Sequence, residues 1–484
     1  MKKISYTITI LSLVCITMVS CKKFLEKEPF GKTGRNTLFE TVEGAKLAIN
    51  GSYNVILAYY KSEFGMYAEV ASDNLIQGGN TSVMLPQYNF QSSIGDDAFA
   101  VGHIWLNVYE AINNVNNVLN AIPELKTKFP NQAKTLDSIT GQGLAMRALC
   151  HFDLSRVYAQ PYNYTADASH LGIPVLLKTP SPGEQVPRKT MKETYDQIIL
   201  DLNNSLPLLQ QYANHTTQAA ISYEAAIALL SRVYLYKGDW EKSVANASLA
   251  INDNAYQLAT SANYKAVFNT EIDNYASSKT ERIFALTNIN LNAAVSNIYT
   301  VFSDTTNASF VISAKTRFLY DADDIRLTGM FNIPKTGNNK GRLITTKYSN
   351  GSVGVLNPQI IQIIRLSEMY LNRAEANWNL KKYAEAAEDL RIISQRAHPT
   401  RTISINYTSN ADLYKQIADE RNRELCFEGQ RFFDIVRRKE NLVRGSDCSS
   451  SVCSLNYPNE KFVLPIPGKE IDANKAIIQN PGFN

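Results

Sequence analysis

Two segments of the chain repeat the pattern of a helical hairpin, and this feature limits the fold more than any other. In the first, a helix over 223–237 passes through a Gly-Asp turn into a helix over 240–251. In the second, a helix over 367–378 passes through a short turn into a helix over 383–396. In both, an aromatic residue opens the second helix and small residues follow it. Small residues let paired helices approach closely, so the pattern predicts stacked helical hairpins.

A third hairpin is predicted from helices over 143–158 and 195–209, which a proline-rich connection separates. The shared pattern is tetratricopeptide-like. Because the hairpins lie far apart in the sequence, we predict a mainly α fold with a compact helical core and large irregular insertions, not an open solenoid. The insertions cover 73–97, 161–188 and 256–358. Loops of this length are usually functional or disordered, and their aromatic residues favour order.

Residues 99–122 are predicted to form one amphipathic helix, because apolar side chains recur at spacings of three and four with asparagines on the opposite face. We expect Pro123 and Pro130 to mark its end. Three tryptophans lie on predicted helices and are assigned to the core: Trp105, Trp240 and Trp378.

The N-terminus is typical of a lipoprotein export signal. Lysines near the start precede an apolar run over 4–19, and small Ser20 stands before Cys21. We predict a signal peptide over 1–20 and a lipid on Cys21, since no later stretch approaches the ~18 apolar residues of a membrane span. The alternative is a plain secretory peptide cleaved elsewhere, because Met18 is a poorer residue than Leu at its position.

Charge and length restrict the function classes. The 484 residues include 49 basic and 45 acidic side chains, and loss of the leader brings these counts closer. No field strong enough to gather nucleic acid is expected, so nucleic acid is excluded as a partner. The 26 tyrosines suit a surface that binds neutral polar ligands, although Tyr also fills ordinary cores.

We divide the mature chain into two regions, 21–255 and 256–484, and expect them to pack as one compact unit.

Four cysteines remain beyond Cys21. Cys150 and Cys426 lie among apolar helical residues and are expected to be buried free thiols. Cys448 and Cys453 bracket a serine-rich loop that is easily closed, which predicts a disulfide in an oxidising compartment. A metal site at this loop would need further Cys or His nearby, and the sequence offers none there.

Residues 411–438 are predicted to form one helix with alternating charges. Three pairs lie at pairing distance on a helix surface: Glu420 with Arg423, Glu428 with Arg431, and Asp434 with Arg438. Apolar residues surround the same helix, so we expect some of the charges to be partly buried and paired. A structural role is favoured over a catalytic one.

The chain resembles the SusD/RagB family of outer-membrane nutrient-binding lipoproteins over nearly all residues after Cys21. Four segments carry the resemblance: residues 21–26, residues 143–158 with Gly172-Ile173-Pro174 after them, the charged pattern of residues 420–434, and Pro465-Ile466-Pro467 with residues 479–482. Cys150 and His151 stand where the family more often has an aromatic pair, a departure that should affect packing rather than binding.

The resemblance implies a surface lipoprotein that captures oligosaccharides, or in some members peptides, and covers a SusC-like TonB-dependent transporter. It also implies four tetratricopeptide-like units, an irregular remainder that forms the ligand face, no enzymatic activity and no cofactor. The acidic stretch with Glu26 and Glu28 resembles a surface-export signal, which favours the outer face of the outer membrane, with the lipid as the only membrane contact. Asp324-Ile325-Arg326 resembles a recurring family element, and we expect an internal ion pair there.

Sugar binding needs flat aromatic faces beside groups that offer paired hydrogen bonds, usually on loops held by a rigid scaffold. Two insertions supply such residues. The first set of ligand-binding candidates is Asp73, Asn74, Gln77, Asn80, Tyr88 and Phe90, and the second is Tyr299, Phe302, Arg317, Phe318 and Tyr320. For each aromatic residue the alternative is simple packing.

Enzyme motifs are absent from the sequence: it has no nucleophile elbow, zinc-binding His-Glu-x-x-His, phosphate loop or dinucleotide fingerprint. The five histidines are scattered singly, and a lone His is more often structural than a ligand or base. Two alternatives stay open. The protein could be a scaffold that docks another protein through its helical repeats, or, less favoured, a glycoside hydrolase with two carboxylates across a cleft.

Overall fold

The computed structural model describes residues 35–79, 83–95, 100–211, 219–268, 281–288, 297–305, 307–348 and 359–483. The N-terminal elements are α1 Arg35–Leu38, α2 Val42–Tyr60, α3 Glu63–Val70, β1 Leu75–Gln77, α4 Leu85–Tyr88, α5 Ala100–Lys128, α6 Ala133–Tyr158, α7 Met191–Gln210, α8 Tyr223–Lys237 and α9 Trp240–Asn252. The elements of the irregular segment are β2 Arg282–Asn288, α10 Asn297–Phe302, β3 Phe310–Ile312, α11 Ala314–Arg317, α12 Ile325–Gly329, β4 Phe331–Asn332, β5 Ile344–Thr345 and β6 Gln359–Arg365. The C-terminal elements are α13 Leu366–Asn379, α14 Tyr383–Ala397, α15 Asn410–Leu425, α16 Arg431–Arg437, β7 Leu442–Val443, β8 Ser454–Leu455 and α17 Gly468–Ala473.

Helices α8 and α9 form the first predicted hairpin. Gly238 ends α8 at φ 80°, a left-handed conformation that glycine adopts without a steric penalty. Ser231 Oγ donates to Ser243 O at 3.1 Å, and Ser243 Oγ donates to Ser231 O at 3.0 Å. These reciprocal bonds require the two backbones to lie close together, which small side chains allow. Helices α13 and α14 form the second predicted hairpin, and the mainly helical, tetratricopeptide-like fold is confirmed.

Helices α6 and α7 form the third predicted pair. Arg147 on α6 holds Asp201 on α7 through a two-point ion pair, with Nε 2.7 Å from Oδ2 and Nη2 2.8 Å from Oδ1. Helix α5 packs between α2 and α6. In α5 the prediction that Pro123 ends the helix is wrong, since the helix continues to Lys128. Ile122 and Leu125 continue its buried face, so packing outweighs the hydrogen bond that Pro123 removes.

The predicted single helix over 411–438 is wrong, because two helices, α15 and α16, share this stretch. Between these two helices, Phe427 has a φ of 67° and Gly429 a φ of 71°. Both values are left-handed, a conformation that a helix cannot include. The resulting turn places Glu428 beside Lys347 Nζ at 2.6 Å.

Of the three charge pairs predicted there, one is found. Arg423 Nη2 lies 2.7 Å from Glu420 Oε2. The other two predictions are wrong because the turn and tertiary packing supply other partners. Those partners are Lys347 and Arg365 for Glu428, Asp73 for Arg431, Arg421 and Arg437 for Asp434, and Glu375 for Arg438.

Buried ion pairs join the irregular segment to the helical core. Arg326 Nη2 lies 2.8 Å from Asp324 Oδ2, which confirms the expected internal pair. Its Nη1 also lies 2.8 Å from Glu420 Oε1 and 3.0 Å from Glu424 Oε2. Burial raises the pKa of Glu420, but the Arg326 and Arg423 charges outweigh it and lower that pKa to about 2. The Glu420 carboxylate is therefore ionised and structural.

One large apolar cluster contains residues from both predicted regions, including Ile56, Leu149, Phe433 and Ile466. The four two-stranded sheets of the described residues are all antiparallel and pair β1 with β3, β2 with β6, β4 with β5 and β7 with β8.

Side-chain burial follows the sequence predictions only in part. Cys150 and Cys426 are buried free thiols, as predicted. Trp105 is buried, as predicted. Trp378 is half-buried and packs against a small apolar cluster that includes Leu390 and Ile417, whereas Trp240 is half-buried outside the apolar clusters, so the core assignment is wrong for Trp240. Among the helices of the described residues, none is long and apolar enough to cross a membrane.

Candidate functional site

The candidate site is a surface, called here the ligand face, where the β1–β3 sheet, helix α11 and the disulfide loop 448–453 meet. Gln77 pairs with Phe310 across the sheet. The Gln77 backbone N–H donates to Ser449 Oγ at 2.9 Å, and Arg342 Nη1 donates to Gln77 O at 3.2 Å. Three distant parts of the chain therefore meet at one residue.

The two residues after β1 are required to be glycine. A Cβ added at Gly78 would lie 2.5 Å from Ala308 O, and one added at Gly79 would lie 2.9 Å from Asn338 Cβ. Any other residue would push the neighbouring segments apart, because real Cβ atoms do not approach so closely. The two glycines hold the edge of the ligand face together.

Asp73 is a buried residue that ties the ligand face to the protein core through ion pairs. Arg431 holds it at two points, with Nε 2.7 Å from Oδ1 and Nη2 2.8 Å from Oδ2, and Lys315 Nζ lies 2.7 Å from Oδ2. Burial raises the pKa of Asp73, but the charges of Arg431 and Lys315 outweigh it and hold the pKa well below its usual value. Asp73 was predicted as a ligand contact, yet it is buried and fully paired, so its role in this structure is to position Lys315 and α11.

Asn74 is also buried, and its amide is satisfied inside the protein. It exchanges reciprocal hydrogen bonds of 3.0 Å with the Asn422 amide and donates to Glu69 Oε2 at 2.9 Å. Thr316 Oγ1 donates to Asn74 Oδ1 at 3.0 Å. The predicted ligand contact is thus replaced by a structural role, because a ligand would have to compete with these internal partners.

Tyr88 and Phe90 pack around Arg444 and offer no ring face to solvent. Tyr88 is 0% exposed, and the Arg444 guanidinium lies 4.2 Å from its ring centroid. Phe90 is buried, with Arg444 at 5.3 Å and the Phe432 ring at 5.9 Å. Their predicted stacking on a ligand does not agree with this burial, because both rings are packed against side chains of the protein.

Phe302 and Tyr320 are likewise buried. Phe302 packs edge-on against Phe427 at 5.5 Å, and Tyr320 packs edge-on against Phe331 at 5.2 Å. The Tyr320 hydroxyl donates to Arg423 O at 2.9 Å. These two predicted contacts are therefore packing residues in this structure. Cys21, Asn80 and the Tyr299 side chain lie outside the described residues.

Phe318, Arg317 and Gln77 remain accessible among the predicted residues. Phe318 is 82% exposed, the largest exposed fraction among the large apolar residues of the described chain. Arg317 is half-buried and donates to Tyr320 O at 3.2 Å, and Gln77 is half-buried.

The segment that carries Phe318 is clamped to the core. The Ser313 backbone N–H donates to Asn74 O at 2.9 Å, Ser313 Oγ donates to Asp73 O at 2.9 Å, and Ser313 Oγ accepts from the Thr316 backbone N–H at 3.2 Å. Lys315 Nζ donates to Val443 O at 2.6 Å. Phe318 thus follows directly on a short helix that is fixed at both its start and its middle.

The disulfide loop completes the ligand face. Cys448 and Cys453 are joined, and Ser449 Oγ lies 3.0 Å from the Tyr88 hydroxyl. Ser450 Oγ donates to Asn89 Oδ1 at 2.9 Å. Sequence reasoning identified the disulfide but did not assign this loop, Lys315 or Arg342 to the site. In the sequence only the charge or polarity of these residues pointed to a binding role. Their contacts could not be predicted, because they join positions hundreds of residues apart.

A separate cavity of about 290 Å³ lies among α2, α6 and α7 and contains none of the predicted ligand residues. Its lining comprises Lys46, Ile49, Asn50, Thr135, Ser138, Ile139, Gln142, Leu209, Ala220, Ile221 and Ser222. Among the described residues no aromatic ring lines it, so this lining offers no flat apolar face on which a sugar could stack.

Comparison with known proteins agrees with this architecture. The profile described as "SusD family" matches residues 332–483, and the profile described as "Starch-binding associating with outer membrane" matches residues 23–235. SusD-like protein P2 of Formosa agariphila is 25% identical, with 100% of both chains covered.

Two crystal structures are also similar. A candidate sugar-binding protein from Bacteroides vulgatus has a TM-score of 0.82 at 26% identity, covering 92% of this chain and 99% of that one. A SusD superfamily protein from Bacteroides thetaiotaomicron has a TM-score of 0.78 at 26% identity, covering 91% and 100%. The chain belongs to the SusD/RagB family, a family of carbohydrate-binding proteins associated with the outer membrane.

Proposed function

We propose that the protein binds oligosaccharides on the ligand face and delivers them to a SusC-like TonB-dependent transporter. It does so from the cell surface, tethered through a lipid on Cys21. The observation that carries the binding part is Phe318, a large apolar ring that is 82% exposed on a clamped segment. Rings held in solvent on a rigid support suit the apolar faces of sugars.

The residues around this segment supply the polar half of sugar recognition. Arg317 and Gln77 are accessible donors, and Ser449 is exposed at the edge of the disulfide loop. Hydroxyl-rich ligands are oriented by a few such polar groups beside an apolar platform. A neutral glycan fits this set better than a strongly anionic one, because the mature charge is nearly balanced.

A glycan array with the chain lacking residues 1–21, followed by calorimetry on the best ligand, tests the binding proposal. Phe318→Ala should weaken binding about tenfold, which corresponds to about 1.4 kcal/mol. Leu249→Ala is the matched control, since Leu249 is 56% exposed on α9 and should have no effect. Equal affinity for wild type and Phe318→Ala would exclude this ring from the site.

Catalysis and delivery need separate tests. A binder leaves its ligand intact, so chromatography of oligosaccharides after incubation with the protein should show no shorter products. For delivery, an affinity tag on the native lipoprotein should retain one outer-membrane transporter after gentle detergent extraction. Glycan binding without any retained transporter would limit the function to capture, and a retained protein without glycan binding would favour a scaffold.

A further inference from the structure

Three side chains of the types that bind metal ions meet just beyond the segment that carries Phe318. Asp321, Asp323 and His398 each offer one ligand atom, and all three atoms lie within 4.8 Å of one another. The two carboxylates precede α12 and are exposed, whereas His398 follows the last residue of α14 and is 7% exposed. An acidic pair alone is common on protein surfaces, so the argument depends on His398.

The imidazole of His398 is held with its Nε2 pointing at the two carboxylates. Its Nδ1 lies 2.9 Å from Ser394 O, a carbonyl that can only accept, so Nδ1 carries the hydrogen. In the neutral ring Nε2 then bears the free electron pair, which is the form that binds metals. Gln395 Nε2 also donates to His398 O at 3.0 Å, which fixes the backbone.

Nothing inside the described protein satisfies this Nε2 atom. It is buried without a hydrogen-bond partner, and its nearest carboxylate oxygen, Asp321 Oδ2, is 3.6 Å away. That separation is too long for a hydrogen bond. It is close to the spacing of about 3.4 Å between two ligands that share one tetrahedral ion at metal–ligand distances of about 2.1 Å.

Arg401 contacts both carboxylates as well, including the Asp321 oxygen that lies nearest His398. Its Nε lies 2.9 Å from Asp323 Oδ2, and its Nη2 contacts Asp321 Oδ2. The side chain is about half exposed, and its backbone carbonyl is held separately by Gln395 Nε2 at 2.8 Å. The guanidinium can therefore move into solvent without disturbing the loop, and it competes with any bound cation.

We propose that Asp321, Asp323 and His398 form a binding site for a divalent transition-metal ion. Imidazole nitrogen with two carboxylates suits Zn²⁺ and its neighbours, with water as a fourth ligand. Ca²⁺ and Mg²⁺ prefer shells made of oxygen alone. A bound ion ties the irregular segment to the end of α14, so the ion holds the ligand-face segment against a helical hairpin. The site is independent of the proposed function.

Calorimetric titration of metal-free protein lacking residues 1–21 with Zn²⁺ alone tests the site. One equivalent should bind, and His398→Gln and Asp321→Asn should each lower the affinity at least tenfold. Arg401→Gln should raise the affinity several-fold, because it removes the competing cation. Circular dichroism of each variant checks that the fold is retained.

His103 provides the matched control. It also faces a carboxylate, with Nδ1 3.2 Å from Glu63 Oε1, but among the described residues no second carboxylate joins it. His103→Gln should leave Zn²⁺ binding unchanged. The proposal is overturned by an absence of saturable binding, by equal affinity in His398→Gln, by weaker binding in Arg401→Gln, or by Ca²⁺ binding as tightly as Zn²⁺.

Discussion

Asp73 and Arg431 lie 358 positions apart and form a two-point ion pair, with Nε 2.7 Å from Oδ1 and Nη2 2.8 Å from Oδ2. The pair joins the segment before β1 to the first residue of α16. Through Lys315 the same carboxylate also fixes α11. One buried anion therefore positions the support of the exposed Phe318 ring.

Asp73→Asn should destabilise the protein by about 3–5 kcal/mol, because it leaves Arg431 buried without a compensating charge. Denaturant unfolding measures this. Glu388→Gln is the control, since the Glu388–Arg391 pair is exposed and contributes at most about 1 kcal/mol. A loss in Asp73→Asn no larger than in the control would show that the pair does not hold the ligand face.

Tyr88→Ala should lower the free energy of unfolding by about 3–5 kcal/mol, the cost of emptying a large buried aromatic site. Tyr88 is enclosed by Arg444 and Phe310, at 4.2 Å and 5.2 Å from its ring. Thermal melting shows the effect. Tyr88→Phe keeps the ring and loses only the hydroxyl contact with Ser449, at about 1 kcal/mol. An unchanged melting temperature in Tyr88→Ala would argue that the ring is free to meet a ligand.

His151 should make stability depend on pH between 7 and 5. Burial, with a smaller effect of the Arg147 charge, lowers the pKa of His151 to about 3, and its Nε2 accepts the Leu176 backbone N–H at 3.1 Å. In the unfolded chain His151 takes up a proton near pH 6.5, whereas in the folded protein it stays neutral at that pH. The stability that neutral His151 gives to the folded state is therefore complete above pH 6.5 and is lost as the pH falls toward 3.

Urea unfolding at pH 7 and pH 5 measures this contribution. Wild type should lose about 2 kcal/mol more between these two pH values than His151→Gln, which keeps a hydrogen-bond acceptor. Groups other than His151 titrate in both proteins and cancel in the difference. An equal loss in the two proteins would mean that His151 takes up its proton in the folded state.

Replacing both Cys448 and Cys453 with serine should cost about 2 kcal/mol, the value for so short a closed loop. The same change should weaken glycan binding, because Ser449 loses its fixed position against Gln77. Calorimetry and chemical denaturation report the two effects separately. Unchanged binding would place the loop outside the ligand face.

The sequence predicted the helical hairpins well because their signals are local. Apolar periodicity and the glycine at 238 were enough to define α8 to the residue. The turn at Phe427 was missed because charge spacing continues through it, and left-handed backbone at a phenylalanine has no sequence signal. Tyr88 and Phe318 are both aromatics in irregular segments, yet one is 0% and the other 82% exposed. Only tertiary contacts such as that of Tyr88 with Arg444 decide which ring packs inside.

The most direct measurement is fluorescence of a Phe318→Trp variant during titration with its oligosaccharide. The three native tryptophans contribute a constant background. A Leu249→Trp variant is the control, because it adds a tryptophan on α9, away from the ligand face, whose emission should not change. Contact with a sugar ring removes water from the indole at position 318, so its emission should shift to shorter wavelength and saturate at the calorimetric affinity. A glycan that binds by calorimetry without changing this emission would contradict the assignment of the ligand face.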